Sequence, residues 1–356
     1  MNDPYPSAPS APRPALRARS ARVYTPPGDT PAPGELRLDA NEGRPALNPP
    51  PATTELLRRY ARPAALEARI ARGLGVEPAR VVVTAGADDA LDRLCRATLE
   101  SGGTALLTDP TFEMLPRYVA LAGADAIAIP WLDGPFPVDA FERGTDDRLR
   151  AIFAVTPNNP TGLGAGTPDL LRLADLARAR GALLVADLAY VEFADEDPTP
   201  ALLAHPNAVV ARTFSKAWGL AGLRVGYAVG PAPVIDWLRA VGHPYPTSAF
   251  SLAAVADALD RAGDALRESV ARVRSERDAL ASLLRARGVD VLPSQANFVL
   301  ARFAPPLPSA FSIEPASLSP RRSSPAALSE PSRPTRNGLG IDFTRNAWTN
   351  GPRQSC

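Results

Sequence analysis

Lys216 is the only lysine in the 356 residues; Arg fills every other position of that charge class. A guanidinium stays protonated and is a poor nucleophile, so Arg cannot replace an amine that must shed its proton and attack a carbonyl. The remaining lysine is a candidate for covalent chemistry, although drift toward Arg codons in a GC-rich gene explains the background and leaves a chance survivor open. Lys216 sits in Thr213-Phe214-Ser215-Lys216-Ala217-Trp218-Gly219, with Arg224 a few residues on. Hydroxyls, an amine and a guanidinium in one turn suit a carbonyl compound with an anionic tail. For the Ser-Lys pair alone, a solvated surface loop is the competing reading. Asp187 ends the apolar run Leu183 to Ala186, and a carboxylate at the end of a buried strand needs a partner, because burying it alone is costly. Gly86-Ala87-Asp88 follows the run Val81 to Thr84 and opens a helical pattern, where free backbone N–H groups make an anion site.

These residues need a scaffold that brings distant segments together. Short apolar runs recur at Val81 to Thr84, Ala105 to Thr108, Ala126 to Ile129, Ala151 to Val155, Leu183 to Ala186, Val209 to Thr213 and Val225 to Val229. Helical or turn segments separate them. Near-continuous apolar strands alternating with helices predict an α/β fold, with a largely parallel central sheet flanked by helices. Leu56 to Leu74 has helical spacing, and Pro168 to Arg180 reads as a crossover helix with Gly181 as its cap. Ser251 to Arg287 reads as a long helix broken near Gly263, followed by strands at Val289 to Leu292 and Asn297 to Phe303. The expected domains are an extended arm at 1–35, a large domain at 36–245, the start of a smaller α+β domain at 246–303, and a low-complexity tail at 304–356. The tail leaves the small domain incomplete.

Composition narrows the partners. The formal net charge of +1 arises from acidic and basic residues mixed along the chain, so no basic stripe points to nucleic acid. No apolar run reaches membrane-spanning length and the first thirty residues lack a secretory core, which predicts a cytoplasmic protein with a small-molecule partner. The 2 Cys and 2 His are scattered, giving neither a disulfide framework nor a metal ligand set.

Ser215-Lys216-Ala217-Trp218-Gly219-Leu220-Ala221-Gly222-Leu223-Arg224-Val225-Gly226-Tyr227 resembles the lysine motif of fold-type-I pyridoxal-phosphate aminotransferases, class I/II, and most of all the histidinol-phosphate aminotransferase branch. Other landmarks occur in the same order. The resemblance implies that Lys216 forms the Schiff base with pyridoxal 5'-phosphate and later moves the proton as general base and acid. It gives Gly86, Ala87 and Asp88 the phosphate cup, with Thr213, Ser215 and Arg224 as further phosphate ligands. Phe112, in Pro110-Thr111-Phe112-Glu113-Met114, takes the ring-stacking position, where relatives often have Tyr. Pro157-Asn158-Asn159-Pro160-Thr161-Gly162 resembles the Asn-Pro-x-Gly segment, so Asn159 and Tyr190 share the cofactor's phenolic oxygen. Asp187 takes the pyridine nitrogen and keeps it protonated, making the ring an electron sink. Tyr60 resembles the tyrosine that reaches the neighbouring subunit's cofactor, which implies a homodimer. Asn41, in a segment where Gly43 and Arg44 depart from the family's Asn-Glu-Asn-Pro, and Asn297, in Ser294-Gln295-Ala296-Asn297-Phe298, are placed near the substrate.

The expected activity is amino-group transfer from histidinol phosphate or a similar amino acid to 2-oxoglutarate. A threonine-phosphate decarboxylase-like enzyme shares nearly all these motifs and is the nearest alternative. The resemblance runs from about Leu36 to Phe303, and no later segment resembles the one that carries the carboxylate-binding Arg. This allows a third reading, an inactive protein of the same fold. A tail rich in Pro, Ser and Arg in place of a folded ending is the expected product of a frameshift near residue 304, which resequencing of the gene tests.

Overall fold

The computed structural model describes residues 40–303. The chain divides between Ala301 and Arg302. The arm at 1–35 and the tail at 304–356 lie outside the described residues.

Seven strands form one sheet in the order β1-β7-β6-β5-β4-β2-β3. They are β1 (Val81–Thr84), β2 (Thr104–Asp109), β3 (Asp125–Pro130), β4 (Leu149–Val155), β5 (Leu183–Asp187), β6 (Ala208–Thr213) and β7 (Gly226–Val229). From β3 to β6 all neighbours are parallel, as the apolar runs predict. β7 is antiparallel to both β6 and β1. The connection that carries Lys216 holds only the three-residue helix Ala221–Leu223, and the chain returns beside β6 in the opposite direction. The strands β1, β4, β5 and β6 are buried along nearly their whole length, because helices cover both faces and leave no polar side.

Two buried clusters lie on the two faces. One gathers Leu106, Ile152, Leu184, Val210 and Val229 with the helix Thr167–Ala179; the other gathers Val82, Leu107, Phe153, Val185 and Ala228 with the helix Gly86–Thr98. Alternate residues of each strand point to opposite faces, which sorts the two sets.

Three helical expectations shift. The pattern from Leu56 to Leu74 is two helices, Thr54–Arg58 and Ala64–Leu74, because Pro63 is tolerated at a helix start and not inside one. The crossover helix is Thr167–Ala179, with Gly181 in the left-handed region at φ 64°. The long C-terminal pattern is Ala249–Arg261 and Gly263–Ala286, divided at Ala262. After it the described strands are Asp290–Val291 and Ala301–Arg302, each two residues long, and Asn297 lies in a bend and not in a strand as expected. Among the described residues no helix is long and apolar enough to cross a membrane.

Candidate active site

The sheet delivers its polar residues to one edge. Thr84, Asp109, Val155, Asp187 and Thr213 are the last residues of β1, β2, β4, β5 and β6, and these strands point the same way. Ligands of open α/β sheets collect outside those carboxyl ends. The antiparallel β7 starts at this edge, where Gly226 pairs with both Thr84 and Thr213, so the residues just before it, Arg224 included, return to the same place.

Around Lys216 the parts come from four segments. Its Nζ donates to the Ala40 carbonyl at 2.9 Å and stands 5.4 Å from the centroid of the Tyr190 ring. Burial pushes the amine below its ordinary value, helped by the Arg224 charge, against the pull of Asp88, Glu42 and Asp187. Asp187 is 5% exposed and receives the Ala189 N–H at 3.1 Å. Burial raises its carboxyl to about 7. An isolated carboxylate here is unfavourable, and a cationic N–H donor beside it offsets that cost. Tyr190 is buried edge-on against Phe298, and its hydroxyl accepts from Asn41 Nδ2 at 3.3 Å. Asn297 Nδ2 donates to the Asn41 carbonyl at 3.2 Å, while Asn297 Oδ1 is buried without a partner.

A second group lies at the start of the helix Gly86–Thr98. Gly86 has φ 84° and a bare Cα facing Arg224. Arg224 Nη2 reaches Asp88 Oδ2 at 3.0 Å and Nη1 reaches Ser215 Oγ at 3.5 Å. Thr213 Oγ1 donates to Ser215 Oγ at 2.9 Å and accepts from the Ser215 N–H at 3.1 Å. Open N–H groups of a first helical turn, two hydroxyls and a guanidinium make a site for a dianionic group.

Not every predicted residue joins these groups. In the loop after β4, Asn158 is the side chain that ties the turn, donating to Pro110 C=O and Thr161 Oγ1 at 3.0 Å each, while Asn159 is half-buried beside it. Phe112 is half-buried in the loop after β2 and packs on the face that holds Leu91 and Phe153. Tyr60 is 78% exposed and stacks on Tyr245 with centroids 4.4 Å apart.

Sequence reasoning missed how the segment from Ala40 to Pro45 closes over the lysine turn. A Cβ on Gly43 would collide with the Lys216 carbonyl oxygen, and one on Gly219 with the Arg44 carbonyl. Gly43, which departs from the family segment, is thus where two backbones touch. The pair of glycines was the available signal.

Residues 52–318 match the profile of the family described as aminotransferase class I and II. A histidinol-phosphate aminotransferase of Dinoroseobacter shibae is 39% identical over 284 residues, covering 76% of this chain and 77% of that one. An aromatic amino acid aminotransferase of Mycobacterium bovis is 38% identical over 292 residues, covering 78% and 81%. The crystal structure of histidinol-phosphate aminotransferase from Sinorhizobium meliloti in complex with pyridoxal-5'-phosphate superposes with a TM-score of 0.64 at 28% identity, covering 73% of each chain. The chain belongs to the class I and II aminotransferase family. It is a pyridoxal-phosphate-dependent enzyme that acts on small amino and oxo acids, with the sheet and flanking helices of fold type I.

Proposed function

We propose that this enzyme moves an amino group from histidinol phosphate or a similar amino acid to 2-oxoglutarate, with Lys216 as the residue that bonds the cofactor and carries the proton. The observation that carries this reading is the state of Lys216: the chain's one lysine, pushed toward its neutral form by burial, with a neutral carbonyl as its hydrogen-bond partner. Such an amine is a nucleophile, and then a base, without first having to lose a strongly held proton.

The residues present fit pyridoxal phosphate. Asp187, buried and raised to about 7, calls for the cationic N–H that a protonated pyridine nitrogen offers. Gly86, Ala87 and Asp88 at the helix start, with Thr213, Ser215 and Arg224, suit the phosphate. Tyr190 and Asn159 would hold the phenolic oxygen, Phe112 would cover the ring, and Tyr60 would serve the partner's site in a homodimer. When bound, the cofactor supplies an aldehyde for the amine and a ring that takes up electrons from the substrate's α-carbon. Lys216 moves the proton at that carbon. Asp187 holds the ring nitrogen protonated, and the Ala40 to Pro45 segment shields the lysine from water.

The two curated relatives compared above, at 39% and 38% identity, carry different substrate names, so the amino donor rests on product analysis. The test is an absorbance spectrum of the protein with pyridoxal phosphate, before and after addition of histidinol phosphate or an aromatic amino acid, beside Lys216→Ala. A visible band absent from the variant and bleached by one donor, with glutamate formed from 2-oxoglutarate, is the expected result. A band that survives Lys216→Ala rejects the lysine assignment. Carbon dioxide release with no need for an oxo acid rejects transamination.

A further inference from the structure

We propose that Asn41 is a positioning residue for Tyr190: its side-chain amide sets the direction in which the Tyr190 hydroxyl presents its proton, and Asn297 in turn holds Asn41. The proposal rests on the reading above, in which Tyr190 faces the cofactor bonded to Lys216.

A phenol has one proton to give and lone pairs to receive with. The Tyr190 oxygen already receives the Asn41 Nδ2–H at 3.3 Å, and Asn41 is its hydrogen-bond partner among the described residues. The O–H is thereby left to donate to a group that is not part of the protein, while Lys216 Nζ stands over the ring face, 5.4 Å from its centroid. The ring cannot swing away, because it is 4% exposed and packed edge-on against Phe298 with centroids 5.3 Å apart. Rotation of the proton about the C–O bond is the freedom that remains, and the Asn41 amide removes it.

Asn41 is itself held from two directions. Its φ of 52° lies in the left-handed region, which Asn tolerates better than other side chains. Its carbonyl receives Asn297 Nδ2 at 3.2 Å. Among the described residues the charged groups that act on Tyr190 are Lys216, Asp187 and Asp88, and Asn41 alone touches the hydroxyl.

The experiment compares wild type, Asn41→Gly, Asn41→Asp, Tyr190→Phe and the double variant Asn41→Gly with Tyr190→Phe, each loaded with pyridoxal phosphate. Gly keeps the left-handed backbone; Asp keeps the shape and loses the N–H. Cofactor Kd and the pH midpoint of the visible band are measured. Asn41→Gly and Asn41→Asp each weaken cofactor binding about fivefold, the worth of one net hydrogen bond, and move the midpoint in the same direction as Tyr190→Phe. In the Tyr190→Phe background Asn41→Gly adds nothing further. Additive effects overturn the proposal, as does a raised KM for the amino donor with Kd and midpoint unchanged, which places Asn41 against substrate. A wild-type protein with no visible band overturns the cofactor reading itself. A band that depends on Lys216 but is indifferent to Asn41 overturns only this inference.

Discussion

The bare Cα of Gly86 and the guanidinium of Arg224 face each other so closely that a Cβ on Gly86 would stand 2.9 Å from Arg224 Nη2. At φ 84° the backbone would also be strained with any side chain. Gly86→Ala is therefore expected to destabilise the protein by about 1–2 kcal/mol and to move Arg224 away from Ser215. Cofactor affinity falls about tenfold, on the scale of one charge-assisted hydrogen bond. Calorimetry and a cofactor titration check the two effects separately.

Asp187 predicts a pH dependence. In an unfolded chain an aspartate titrates near 3.9, whereas burial raises Asp187 to about 7. The folded protein therefore binds the extra proton between these values, and its stability falls as pH rises through that window and stays low above it. The full cost is on the order of 4 kcal/mol, from 1.36 kcal/mol per unit. Asp187→Asn removes this dependence, so without cofactor the variant gains Tm over wild type progressively from pH 5 to pH 8, while losing cofactor affinity. A gap independent of pH contradicts the burial argument.

Arg212, one residue before Thr213 in β6, is buried between Glu192 at 2.9 Å and Asp197 at 3.1 Å. Removing the cation leaves Glu192 in a poorly solvated site without its partner. Arg212→Ala is expected to cost roughly 3–5 kcal/mol in urea denaturation. Arg212→Lys keeps the charge but not the fork of donors, and recovers only part of that loss.

Tyr60 tests the dimer. If it completes a partner's site, mixing Tyr60→Ala with Lys216→Ala chains after subunit exchange restores one intact site per hybrid. Activity then recovers toward a quarter of wild type, because random pairing makes half the dimers hybrids and each carries one working site. No recovery in mixtures whose chains demonstrably exchange contradicts the shared site.

The central strands were legible because each is buried on both faces and reads as an apolar run, and β1, β5 and β6 match their runs to within one residue at either end. The lysine turn and the helix start at Gly86 were legible for a similar reason: their chemistry is local in the chain. The antiparallel return of β7 was not, since apolar periodicity carries no strand direction. Nor was the contact of Asn41 with Tyr190, 149 residues apart, because an Asn in a Pro-rich stretch gives no sign of its partner. Gly43 looked like a lost motif residue, and the reason for it became visible only with Lys216 beside it.

The hydrogen bond from Asn297 to the Asn41 carbonyl joins residues 256 positions apart. On a ribosome working at about 5–20 residues per second, roughly 10–50 s separate the synthesis of its two ends. Through that interval the Ala40 to Pro45 segment can settle on the lysine turn as soon as Lys216 and Gly219 have emerged, but it still lacks its last anchor. A nascent chain halted between Gly219 and Asn297 already carries Lys216 and its contact with Ala40, and only a longer one carries the side chain that fastens Asn41.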